Sequence, residues 1–184
     1  MLKANNLEAI LNRPELAKGL EQYLYLRRRL YETNVSQDRE FQRAFNHFYR
    51  MRQRPAAFYT AYFSYMEEHK YGCVSFEETL SYFYEQFNRM EISFSSKLIS
   101  LIDPTYPVWD SIVAGDHFGI KAPYASVKDR LRKAIDRYKD YQCSYMQFLK
   151  TPEARQMIAA FCNKFPDSEI SDVKKIDFIL WQDR

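Results

Sequence analysis

The chain has 184 residues, 46% of them hydrophobic and 28% charged, and a net charge of +3. This is the balance of a soluble domain long enough to bury a full core, and the small positive charge favours a nucleic-acid partner only if the basic residues cluster. With four glycines and no GxxxxGK(S/T) or GxGxxG pattern, the chain lacks a phosphate-cradling loop; Cys73, Cys143 and Cys162 are too scattered for a disulfide framework or a CxxC metal site.

The predicted elements are helical nearly throughout. "MLKANNLEAILNRPELAKG" has no signal-peptide apolar core, and no apolar run is long enough to span a bilayer. The expectation is a cytoplasmic protein without membrane association, with its three thiols free and buried. Pro14 opens a helix in which Leu16, Leu20, Tyr23 and Leu24 recur at helical spacing. Ser36 is the expected N-cap of the next, "SQDREFQRAFNHFYRMRQRP", whose apolar stripe is Phe41, Ala44, Phe45 and Phe48. Pro55 closes that helix and opens another, which Gly72 terminates; Phe58, Tyr62 and Tyr65 line its core face.

Ser75 and Glu78 form the S-x-x-E of a capping box. Lys97 sits on the short apolar helix that follows, and Asp110 stands as N-cap where a new element begins after Pro104 and Pro107. The longest helix is "SVKDRLRKAIDRYKDYQCSYMQFLK", with a stripe of Val127, Leu131, Ala134, Ile135, Tyr138, Tyr141, Tyr145 and Leu149. Thr151 and Pro152 open its successor. A last helix, capped by Ser171 or Asp172, docks through Val173, Ile176, Ile179 and Leu180. No linker or repeat interrupts the pattern. The expectation is all-α: one globular domain of nine or ten helices.

Within "FSSKLISLIDPTYPVWDSIV", residues 94–113, the chain resembles the second half of the helix-hairpin-helix DNA glycosylase fold, with a likeness covering roughly residues 75–120. The resemblance implies that Lys97 is the catalytic lysine and that Asp110, in "PVWDSIV", is the characteristic aspartate. A lysine in a partly apolar cleft has a lowered pKa and can attack a sugar C1′ to give a Schiff base, while the aspartate stabilises oxocarbenium character or orients the attacking group. The family also flips its target base out of the stack. The glycines of the family's hairpin are absent from "NRMEISFSSKLIS", as is the four-cysteine iron–sulfur motif.

Arg39, Arg43, Arg50 and Arg54 fall on a narrow stripe if one helix carries them all, a row suited to a phosphate backbone. His117, beside Asp116, and Trp109 are candidate cleft residues near the Asp110 turn. The three histidines share no metal-ligand spacing, and no metal or cofactor is implied. Two functions follow. One is a DNA-binding, glycosylase-like protein with a Lys97/Asp110 cleft; the other is a non-enzymatic helical module for a protein or nucleic-acid partner.

Overall fold

Two helices are buried nearly all round, and the others are arranged about them. The computed structural model describes residues 7–183; the first six residues of the N-terminal stretch and Arg184 lie outside the described part. Nine α-helices appear there: α1 (Leu7–Leu11), α2 (Pro14–Glu32), α3 (Arg39–Phe48), α4 (Ala56–His69), α5 (Phe76–Phe87), α6 (Ile92–Ile102), α7 (Arg130–Leu149), α8 (Pro152–Lys164) and α9 (Asp172–Gln182). A seven-residue π-helical turn, Ser111–His117, comes between α6 and α7. The protein is all-α, and no helix among the described residues is long and apolar enough to cross a membrane.

The buried helices are α6 and α9. On α6 the apolar side chains alternate with Ser95, Ser96 and Ser100, all fully buried, so even its polar positions are small enough to pack. Ser96 and Ser100 return hydroxyl protons to the carbonyls of Ser93 and Lys97. Helix α2 packs against both α6 and α9. Its Gly19 allows a close approach to α9, since a Cβ there would meet the Phe178 ring at 3.3 Å.

The core is continuous and aromatic. Phe76 and Tyr138 stack at 3.8 Å, with Trp109 at 6.1 Å from the Tyr138 ring. Buried tyrosines tie helices to non-helical backbone: Tyr138 and Tyr141 donate to the carbonyls of Pro107 and Val108, at 2.8 and 3.1 Å. Tyr62 donates to Phe94 at 2.8 Å. Burial pushes the phenols up, that of Tyr23 to about 12.

Charge also enters the core. On α9, Lys174 and Asp177 are one helical turn apart and pair at 3.0 Å, with residue exposures of 3% and 7%. The second Asp177 oxygen accepts from Tyr145 at 2.8 Å, and the Lys174 ammonium lies 5.3 Å from the centre of the Tyr23 ring. Although burial opposes the ammonium, the Asp177 charge raises the Lys174 pKa above its usual value.

Other local expectations are refined. The Ser75–Glu78 capping box forms in both directions, and Thr151 and Ser171 cap α8 and α9. Asp38, not Ser36, caps α3 by accepting from the amides of Glu40 and Phe41, because Ser36 is turned to Asn34. Helix α7 begins at Arg130, after Asp129 in a left-handed conformation, so Val127 lies before it. Leu24 is 38% exposed, since four apolar residues spread over two turns exceed the buried arc of α2. The expected buried thiols are likewise corrected: Cys73 and Cys143 are exposed, and Cys162 is half-buried.

Removing the Asp177 carboxylate strands a buried ammonium. Asp177→Ala is expected to lower unfolding free energy by about 3–5 kcal/mol, and the paired change Lys174→Met/Asp177→Leu to recover most of it. Urea unfolding followed by circular dichroism checks both; equal losses in the single and double variants would contradict the pairing.

Candidate functional site

Lys97 lies in the middle of α6, a helix whose faces are otherwise apolar or serine. Its side chain is half-buried, with the ammonium 5.6 Å from the centre of the Phe94 ring one turn earlier. Burial pulls the amine down from its ordinary 10.5 to about 8; the Asp110 charge opposes that shift, and the Arg52 charge adds to it. The neutral amine is thereby brought within reach of physiological pH.

Asp110 is positioned by the connection from α6. Ser96 accepts from the Trp109 amide at 2.9 Å, and Tyr138 and Tyr141 hold the carbonyls of the two preceding residues. The Asp110 carboxylate then caps the π-helical turn: one oxygen accepts from Ile112 at 2.9 Å and Val113 at 2.7 Å. Burial pushes the carboxyl up and nearby Asp177 adds to this, while the two amides and Lys97 pull it down. Lys97 and Asp110 thus lie within electrostatic reach but form no ion pair among the described residues.

The turn after Asp110 is widened. Gly115 donates to Asp110 and Phe118 to Val113, both i to i−5. Such π-helical turns are rare and frequent at functional positions. His117 ends the turn, and one ring nitrogen lies 3.0 Å from the Leu180 carbonyl, which ties the turn to α9. The cleft role expected for Trp109 is corrected: it is 5% exposed and stacked among Phe76, Tyr138 and Tyr141.

The arginine row also changes form. Helix α3 stops at Phe48, so only Arg39 and Arg43 share its exposed face, together with His47. Arg50 lies beyond the helix with a φ of 48° and places its guanidinium over the Trp181 ring, at 4.5 Å. Arg54 is turned inward and makes a two-point contact with nearly buried Glu91, at 2.7 and 2.9 Å, while Arg89 reaches the same carboxylate at 3.1 Å. A two-point ion pair fixes the guanidinium plane and uses its charge, which removes Arg54 from the open row.

Arg52 takes its place. It is exposed, lies two residues after Arg50, and its charge reaches Lys97. The sequence reading passed over it because its number does not fit the helical period of the row; a break in the helix after Phe48 would have brought it out. Among the described residues, Arg39, Arg43, Arg50 and Arg52 have no carboxylate partner, whereas Arg28, Arg29, Arg54, Arg89 and Arg132 do.

Two surface grooves open elsewhere. One of about 530 Å³ lies where α2, the α4–α5 turn and the end of α6 meet; another of about 310 Å³ follows the π-helical turn. Neither is lined by Lys97 or Asp110. No group of three His, Cys, Asp or Glu side chains suited to a metal ion occurs among the described residues. Compared with protein-family models, curated proteins and solved structures, the chain matches none.

The Lys97 amine provides a direct pH test. Burying the charged form costs stability below pH 8, and that cost is relieved as pH rises from about 8 towards the ordinary 10.5, where the unfolded chain binds more protons than the folded one. Acetylation of Lys97, followed by peptide mass spectrometry, is expected to rise with a midpoint near 8. Asp110→Asn shifts the midpoint down and Arg52→Gln shifts it up; a midpoint like that of surface lysines would contradict the burial.

Proposed function

We propose that the chain binds DNA along the exposed arginines of α3 and its following loop, Arg39, Arg43, Arg50 and Arg52. The observation that carries this reading is that these four have neither a carboxylate nor a main-chain carbonyl partner among the described residues, whereas every other arginine there has one or the other. An unpaired, exposed guanidinium releases counterions when it meets a phosphate, and a row of them gives sequence-independent affinity. Arg50, held over the Trp181 ring at 4.5 Å from its centre, loses little further freedom on binding.

A second reading adds chemistry at the end of the row. The Lys97 amine, lowered to about 8, sits within the electrostatic reach of Arg52. A neutral amine can add to the C1′ aldehyde of an abasic sugar and lose water to give a Schiff base. This glycosylase/lyase-like reading is supported by Lys97. The capping duty of Asp110 supports the alternative, a non-enzymatic binding module, since one carboxylate oxygen already serves two amides.

The two readings separate experimentally. In fluorescence anisotropy with duplex DNA, the logarithm of the affinity is expected to fall linearly with log salt, and Arg43→Gln or Arg52→Gln to reduce the slope by about 0.9 each. Unchanged slopes would remove these residues from the interface. Incubating DNA containing an abasic site with borohydride tests the chemistry: a covalent adduct lost in Lys97→Ala supports the lyase-like reading, and DNA binding without an adduct supports the binding module.

A further inference from the structure

The larger groove has a different character from the arginine row. Tyr31, on the last turn of α2, and Tyr71, just after α4, pack at 5.6 Å with their planes 44° apart. The turn after α6 contributes Asp103, Pro104 and Tyr106, and the nearly buried Val74 and Ile102 supply an apolar floor. Tyr71 is 75% exposed, an unusual position for a large side chain that packs on another aromatic.

The charges of this groove are unevenly answered. Its one lining cation, Lys70, is satisfied by Glu67 at 2.9 Å and the Thr33 carbonyl at 2.8 Å. Asp103 uses one oxygen to accept from the Thr105 amide and hydroxyl; its other oxygen has no protein donor among the described residues. The Tyr106 hydroxyl likewise has no hydrogen-bond partner among them, and Asp103 and Glu78 both raise its pKa, after burial. An anionic oxygen and a free phenolic donor therefore face an apolar, aromatic surface.

We propose that this groove binds a proline-rich segment in the polyproline II conformation, with an arginine or lysine directed to Asp103. Four features favour this occupant. Proline rings present flat apolar surfaces to tyrosine and proline walls, and the polyproline II backbone carries no internal hydrogen bonds. Its carbonyls can therefore accept from Tyr106. The segment is already extended, so an open groove loses little by ordering it. The unmatched Asp103 oxygen selects a basic flank.

A quaternary ammonium caged by the tyrosines fits less well. Internal cations already lie over both rings: the Arg27 guanidinium is 5.4 Å from the centre of Tyr31, and the Lys70 ammonium is 5.2 Å from that of Tyr71. Arg27 is held there by the Ile102 carbonyl at 3.0 Å, and Tyr71 by its own bond to the Tyr31 carbonyl at 3.2 Å. A further cation on those rings would meet like charge, while the exposed edge of the Tyr71 ring remains available to an apolar neighbour.

A fluorescein-labelled short peptide with a Pro-x-x-Pro core and a flanking arginine tests the proposal, with the arginine placed at either end in separate probes. Saturable anisotropy is expected with the full chain. Tyr71→Ala should weaken it by about tenfold. Tyr106→Phe should weaken it several-fold, and Asp103→Asn should erase the preference for arginine over alanine in the peptide. Circular dichroism and DNA affinity of these variants should stay unchanged, so a failure here is distinct from a failure of the DNA reading. The proposal is overturned if neither peptide saturates, if Tyr71→Ala binds as the parent does, or if tetramethylammonium binds more tightly than the peptides.

Discussion

The ion pair between Lys174 and Asp177 is the constraint to which the rest of the core adjusts. Two charges taken out of water are tolerable only when their remaining hydrogen-bonding capacity is met. Asp177 meets this need through Tyr145 of α7, and the Lys174 ammonium through Asp177 and the ring of Tyr23 on α2. Helices α2 and α7 are thereby set around α9 in one rotational arrangement. A purely apolar helix could slide or turn among them at smaller cost; this one carries a polar key.

That key also governs the end of the molecule where the candidate site lies. The C-terminal half of α9 receives His117 at Leu180 and the guanidinium of Arg13 at Gln182, and presents Trp181 to Arg50. The π-helical turn, the start of α2 and the loop after α3 thus converge on one buried helix. Asp110 feels the Asp177 charge through the same packing. The electrostatics around Asp110 are linked to the core by these short paths.

Most of the helical framework was legible from period and punctuation. Pro14, Ser75 with Glu78, Thr151 with Pro152, and Ser171 each mark a start by local chemistry that tertiary packing leaves intact. Two kinds of information were not legible. Helix ends without a strong stop were overrun, as at Phe48, where the chain turns through Arg50 and sends Arg54 to Glu91, a residue distant in sequence. Charges inside a helix core leave no mark in the period: Lys174 and Asp177 stand beside an apolar stripe as solvated residues do, yet satisfy each other inside. Lys97 and Asp110, which feel each other's charge without pairing, fell between these cases. Their proximity was readable from the short connection, whereas the depression of the amine depends on burial that only three-dimensional packing supplies.

The tyrosine-to-carbonyl bonds have a consequence for how this core can change. Tyr138 and Tyr141 fasten the carbonyls of Pro107 and Val108, which lie outside the regular helices, while Tyr62 and Tyr145 add a bond to carbonyls within α6 and α9. Their rings could be exchanged for phenylalanine with little change in volume, yet at Tyr138 and Tyr141 the exchange would strand a carbonyl outside the helices. Neighbouring phenylalanines such as Phe45, Phe63 and Phe83 carry no such duty. Over sequence drift, the core should therefore hold two populations of aromatic position: one free to vary among apolar side chains of similar size, the other pinned by a single oxygen atom.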